Sequence, residues 1–147
     1  MTKEELGQYK SLKREIESLE KKLDKLYDKS QEVPVIAGKV SASSKDFPYT
    51  PYRVSVLMDE PKVADELNRL IRIREQRLAK CRKLLREIEE FIDRIEDSET
   101  RMIFQYRYID GMKLIKISDE IGLDRSVIGK RILNYLKFAH NAPKSML

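Results

Sequence analysis

The sequence predicts a mainly all-α protein: an antiparallel coiled-coil helical hairpin with an extended or short β excursion, followed by a three-helix domain of helix-turn-helix type. Three observations carry this expectation. First, 37% of the 147 residues are charged and 41% hydrophobic, with no Trp and four Phe, a balance that solvated helices reach more readily than a thick β core. Second, two long charged segments repeat their apolar residues at alternating spacings of three and four, and none of Pro34, Pro48, Pro51, Pro61 and Pro143 interrupts them. Third, the last third is punctuated by glycines at helix-ending positions. The expected division is residues 1–97, the hairpin with an inserted arm at 30–58, and residues 98–147, the helix-turn-helix domain.

Between residues 4 and 29 the apolar positions are Tyr9, Leu12, Ile16, Leu19, Leu23 and Leu26, an a/d pattern with charged or polar residues between. The second seam follows Pro61 and reads Leu67, Ile71, Arg74, Leu78, Cys81, Leu85, Ile88, Ile92 and Ile95. Asp59 or Glu60 suits the start of this helix, with proline tolerated in its first turn. Leu70, Ile73, Leu84 and Phe91 widen the stripe, which favours a homodimer or a higher homo-oligomer as well as the pairing of the two helices. Arg74 interrupts the seam, either as a packed stem with a solvated head or as a device that fixes register and partner. The arm holds two β-favouring runs, Val33 to Val40 and Arg53 to Leu57, and a partly ordered excursion is expected there, either a small hairpin or an extended arm. Phe47, Tyr49 and Tyr52 either pack on the helices or stack on a partner.

The C-terminal third parses into three short helices. Asp97 or Ser98 caps the first, which runs to about Tyr108 and stops at Asp110-Gly111. The second runs from about Lys113 to Ile121, with Leu114, Ile117 and Ile121 at core spacing, and Gly122 turns the chain. Asp124 caps the third, about Arg125 to Phe138, with Ile128, Ile132, Tyr135 and Leu136 facing inward. Two helices joined by a short glycine-containing turn are a helix-turn-helix signature, in which the second helix enters the major groove. The charge suits that use. Residues 1–97 hold 21 Lys and Arg against 20 Asp and Glu, whereas residues 98–147 hold nine against five. From Arg125 to Phe138 there are Arg125, Lys130, Arg131 and Lys137 and no acid. The candidate contacts to duplex DNA are therefore Arg125, Ser126, Gly129, Lys130, Arg131 and Asn134. Arginine can bond guanine twice, and serine and asparagine can bond bases or phosphates. Gly129 leaves room for backbone to approach, at a propensity cost of about 1 kcal/mol.

The run Arg107-Tyr108-Ile109-Asp110-Gly111 and the run from Ile117 to Ile128 resemble the promoter-reading C-terminal region of bacterial sigma factors. The likeness covers roughly residues 97–138. It implies that Arg125, Ser126, Lys130 and Asn134 occupy positions that contact DNA in that family, while Gly129 departs from it, a long polar side chain being usual there. Nothing resembles the core-polymerase-binding part of a sigma factor. The whole chain, including the arm from Val40 to Pro51 and the lead-in from Phe91 to Ser98, is similar to small prophage-encoded proteins of Gram-positive bacteria that are called transcriptional regulators. That resemblance implies a phage-type regulator in the cytoplasm of a bacterial host, with RNA polymerase as a possible partner.

No enzyme active site, cofactor or metal site is expected. His140 is the only histidine and Cys81 the only cysteine, so no metal set of ordinary spacing forms and no disulfide can close within the chain. No apolar run approaches the roughly 20 residues of a membrane span, and the N-terminus lacks the apolar stretch of a signal peptide. Two other functions stay open. One is a DNA-packaging component akin to a small terminase subunit, for which a many-membered ring would speak. The other is a coiled-coil interaction protein, for which absence of salt-dependent DNA binding would speak.

Overall fold

The computed structural model describes residues 1–31, 35–43, 51–59 and 61–142. The chain is mostly helical. Its elements are α1 (Lys3–Gly7), α2 (Tyr9–Gln31), β1 (Val35–Ser43), β2 (Pro51–Asp59), α3 (Pro61–Asp93), α4 (Ser98–Phe104), a π-helical turn (Gln105–Ile109), α5 (Leu114–Ile121) and α6 (Arg125–Asn141). Among the described residues no helix is long and apolar enough to cross a membrane. Contacts gather into two units, Met1–Ser18 with Leu78–Leu147, and Leu19–Arg77.

The single helix expected from residue 4 to 29 begins instead with a separate short helix. Thr2 and Glu5 form a capping box: the Glu5 amide donates to Thr2 Oγ1 at 3.2 Å and the Thr2 amide donates to Glu5 Oε2 at 2.6 Å. This cap starts α1 on its own, and the break follows Gly7, a weak helix former. Leu6 is fully buried, so the extra turn is tied into the core.

In the unit of Met1–Ser18 and Leu78–Leu147, the seam residues Tyr9, Leu12, Leu78, Cys81, Ile88, Ile92 and Ile95 are all buried, as their heptad spacing predicts. Tyr9 adds a polar lock: its Oη donates to Glu89 Oε1 at 2.7 Å. Burial, then this bond and the nearby Glu89 charge, push the Tyr9 hydroxyl up to about 12 from its usual 10. The folded state thus holds the proton more tightly than the unfolded chain. Its contribution to stability is complete below pH 10 and is lost as the pH rises toward 12. Tyr9→Phe is expected to cost about 1 kcal/mol at neutral pH and to shallow the alkaline fall in stability, read from thermal melts between neutral and alkaline pH.

In the unit Leu19–Arg77, Leu19 and Leu23 are buried and the Tyr27 hydroxyl donates to Glu75. Arg69 donates twice to Glu66, at 2.8 and 3.1 Å, an exposed pair one turn apart. Arg74 Nε is buried and makes no hydrogen bond among the described residues, so this part of the guanidinium does not reach solvent. Strands β1 and β2 pair antiparallel, with Gly38 opposite Val56 and Val40 opposite Val54. The arm therefore forms a hairpin, longer than its two β-favouring runs and reaching Ser43 and Pro51. Pro51 opens its strand, a position that tolerates proline. Phe47, Tyr49 and the side chain of Tyr52, with their expected packing or stacking, lie outside what is described.

Candidate nucleic-acid interface

Everything that positions α6 lies in the unit of Met1–Ser18 and Leu78–Leu147. The lead-in is Asp97, whose carboxylate accepts from the Thr100 amide at 2.9 Å and from Thr100 Oγ1 at 2.6 Å. These bonds, with the Thr100 hydroxyl contributing most, hold the Asp97 carboxyl below its usual range. Of the two cap residues that the sequence allows, Asp97 is the one used. Arg101 Nη1 donates to the Ile95 carbonyl at 2.8 Å and ties α4 to the end of the preceding segment.

The first C-terminal helix does not run evenly to Tyr108. From Gln105 it widens into a π turn, in which the Asp110 amide donates to the Gln105 carbonyl at 3.0 Å. The Asp110-Gly111 stop is met by Gly111 at φ 67°, a left-handed conformation that favours glycine. Arg107 Nη1 donates to the Met112 carbonyl at 3.0 Å and clasps this turn. A Cβ on Gly111 would stand 2.1 Å from Lys10 Cε, so the N-terminal segment also covers the turn.

Helix α5 buries Ile117 completely and ends at Gly122, φ 79°. The Gly122 amide donates to the Ser118 carbonyl at 2.8 Å, and Ser118 Oγ donates to the Leu123 carbonyl at 2.6 Å. Ser118 thus bonds both sides of the turn that launches α6. Asp124 stands at the N-cap, as expected, and its carboxylate accepts from the Ser126 hydroxyl. The Ser126 bond is the chief reason that the Asp124 carboxyl lies below its usual range.

Helix α6 buries Ile128, Ile132 and Ala139, with Tyr135 and Leu136 half-buried beside them. Phe104 anchors that face. It is fully buried, and its ring centroid lies 5.4 Å from Tyr135, 5.6 Å from Tyr108 and 6.4 Å from Phe91. With the core on one side, 3.6 residues per turn send Ser126, Lys130, Leu133 and Lys137 to the other.

Of the candidate contacts, Arg125, Ser126, Lys130 and Asn134 are exposed. Among the described residues neither Arg125 nor Lys130 forms an ion pair. Ser126 is exposed but its hydroxyl is directed to Asp124. Arg131 Nη1 donates to Glu99 Oε1 and links α6 to α4, so its guanidinium already has a partner. Gly129 has open space where a Cβ would stand. Gly129→Ala is therefore expected to raise stability by about 1 kcal/mol through helix propensity, a gain that urea unfolding would show. Leu133, 48% exposed, and the exposed Lys137 share the outward strip and were not among the sequence candidates. Their spacing from Ser126 and Lys130 is the signal that marks them.

Elsewhere among the described residues, no group of three or more potential metal ligands gathers. Cys81 is fully buried and His140 is exposed on α6.

No curated protein and no solved structure matches the chain. One family profile does, over residues 62–136, which is just over half of the chain and runs from the start of α3 into α6. The chain belongs to that family, described as protein of unknown function (DUF1492).

Proposed function

We propose that the protein binds duplex DNA sequence-specifically as a phage-type transcription regulator, with α5 and α6 acting as a helix-turn-helix and α6 as the reading helix. The observation that carries this is the outer face of α6. Over its 17 residues it bears Arg125, Lys130, Arg131 and Lys137 and no acid, and Arg125, Lys130 and Lys137 are exposed. A glycine in the left-handed conformation sets the turn between the helices. Cations at the helix start and along one side suit base edges and phosphates of a major groove.

The coiled-coil part serves oligomerisation or partner contact in this reading. In each unit a tyrosine of α2 bonds a glutamate of α3, Tyr9 to Glu89 in one and Tyr27 to Glu75 in the other. Ile73, half exposed beside Leu19 and Leu70 in a groove of about 270 Å³, favours a second copy as the partner.

Random-site selection with the purified chain tests the reading. Enrichment of a defined duplex motif is the expected outcome, and a two-fold symmetric motif would match a homodimer. Failure to enrich any duplex at moderate salt contradicts it.

A further inference from the structure

The outward strip of α6 contains an apolar residue where a reading face is expected to be polar. Leu133 is 48% exposed, one turn after Gly129 and flanked by Lys130, Asn134 and Lys137, all exposed. A helical leucine leans toward the turn before its own Cα, which here is the turn of Gly129. A Cβ at Gly129 would meet nothing within 4 Å, so the surface one turn before Leu133 is open. The exposed Leu133, with the half-buried Gly129 a turn before it, makes an apolar ledge bordered by cations.

We infer that this ledge selects for thymine: the Leu133 side chain, left bare by Gly129, packs against a thymine C5-methyl group in the major groove. The inference rests on the DNA-binding reading above and names a determinant of its specificity. The chemistry is that of the groove itself. There the methyl group is the one apolar feature that a base pair offers, and it distinguishes A·T from G·C and from the reversed pair. Lys130 and Lys137 on either side suit the flanking phosphates, and the absence of acids on α6 makes a nucleic acid the fitting occupant. Ser126 adds little reading power while its hydroxyl bonds Asp124, which leaves more of the discrimination to Leu133.

The test uses the full chain and the duplex that random-site selection enriches. Each thymine is replaced in turn by uracil, which keeps the pairing and the O4 acceptor and removes only the methyl group. At one or two thymines the affinity of the unaltered protein is expected to fall about fourfold, the factor for one buried methyl-sized group. Leu133→Ala, an exposed substitution that helix propensity favours, is expected to bind the thymine duplex more weakly by a similar factor and to show no further loss with uracil. Gly129→Gln, which would shield the ledge, is expected to blunt the methyl dependence too. Equal binding of thymine and fully uracil-substituted duplexes overturns the inference and leaves DNA binding intact. So does a Leu133→Ala protein that keeps its methyl dependence. If selection enriches no duplex, the DNA-binding reading falls and this inference with it.

Discussion

Phe104→Ala is expected to cost about 3–5 kcal/mol, the usual range for truncating a buried aromatic residue. Phe104 is fully buried at the meeting point of α3, α4 and α6, with ring contacts to Phe91, Tyr108 and Tyr135. Alanine would open a cavity lined by three aromatic rings, and rigid rings collapse poorly into such a space. Domains are typically stable by only 5–15 kcal/mol, so the loss takes a large share of the total. Urea unfolding followed by circular dichroism would show it as a midpoint shift. Phe138 supplies the control. It belongs to the same aromatic cluster, 6.2 Å from Tyr135, but is 64% exposed, and Phe138→Ala is expected to change stability by less than about 0.5 kcal/mol. Equal losses from the two substitutions would mean that Phe104 does not anchor the core.

The largest functional effect is expected from Arg125 and Lys130. Both are exposed at the start of α6, so removing either is expected to leave stability within about 0.5 kcal/mol of the original. Their effects on DNA binding should differ in kind. If Arg125 bonds a guanine edge, Arg125→Ala costs about 1–3 kcal/mol of affinity and relaxes selectivity at one base pair. If Lys130 meets phosphate, Lys130→Ala weakens all duplexes alike and lowers the salt slope by about one. The double substitution is expected to reduce specific affinity by roughly a hundredfold or more, read by fluorescence anisotropy across a salt series. Undiminished binding by the double variant would remove α6 from the interface. Ser126→Ala should matter less to DNA, since the Ser126 hydroxyl is directed to Asp124.

The helices were legible because each leaves a local signature. The alternating spacing from Leu67 to Ile95 places buried residues where α3 buries Leu78, Cys81, Ile88 and Ile92. Gly111 and Gly122 mark left-handed positions that few other residues accept, so the ends of the short C-terminal helices are readable to within a few residues. The separate α1 was hidden because the apolar seam begins only at Tyr9, so no repeat crosses Gly7 whose interruption would mark the break, while the capping box that starts α1 depends on two side chains agreeing. The π turn after Phe104 leaves no mark in the spacing of apolar residues. Pairings across long stretches of chain were also illegible. Tyr9 with Glu89 and Arg131 with Glu99 join residues that no local window contains together. Leu133 escaped for another reason. A leucine in a helix is ordinarily read as core, and only its spacing opposite Ile128, Ile132 and Tyr135 shows that it faces outward.

The most direct test of the central claim is a titration of isotope-labelled protein with the selected duplex, followed by amide and methyl NMR. The largest shifts are expected on Arg125, Ser126, Lys130, Leu133, Asn134 and Lys137, with the buried Ile128 and Ile132 methyl groups little changed. Shifts concentrated on α2 or α3, with the outer strip of α6 unmoved, would contradict it.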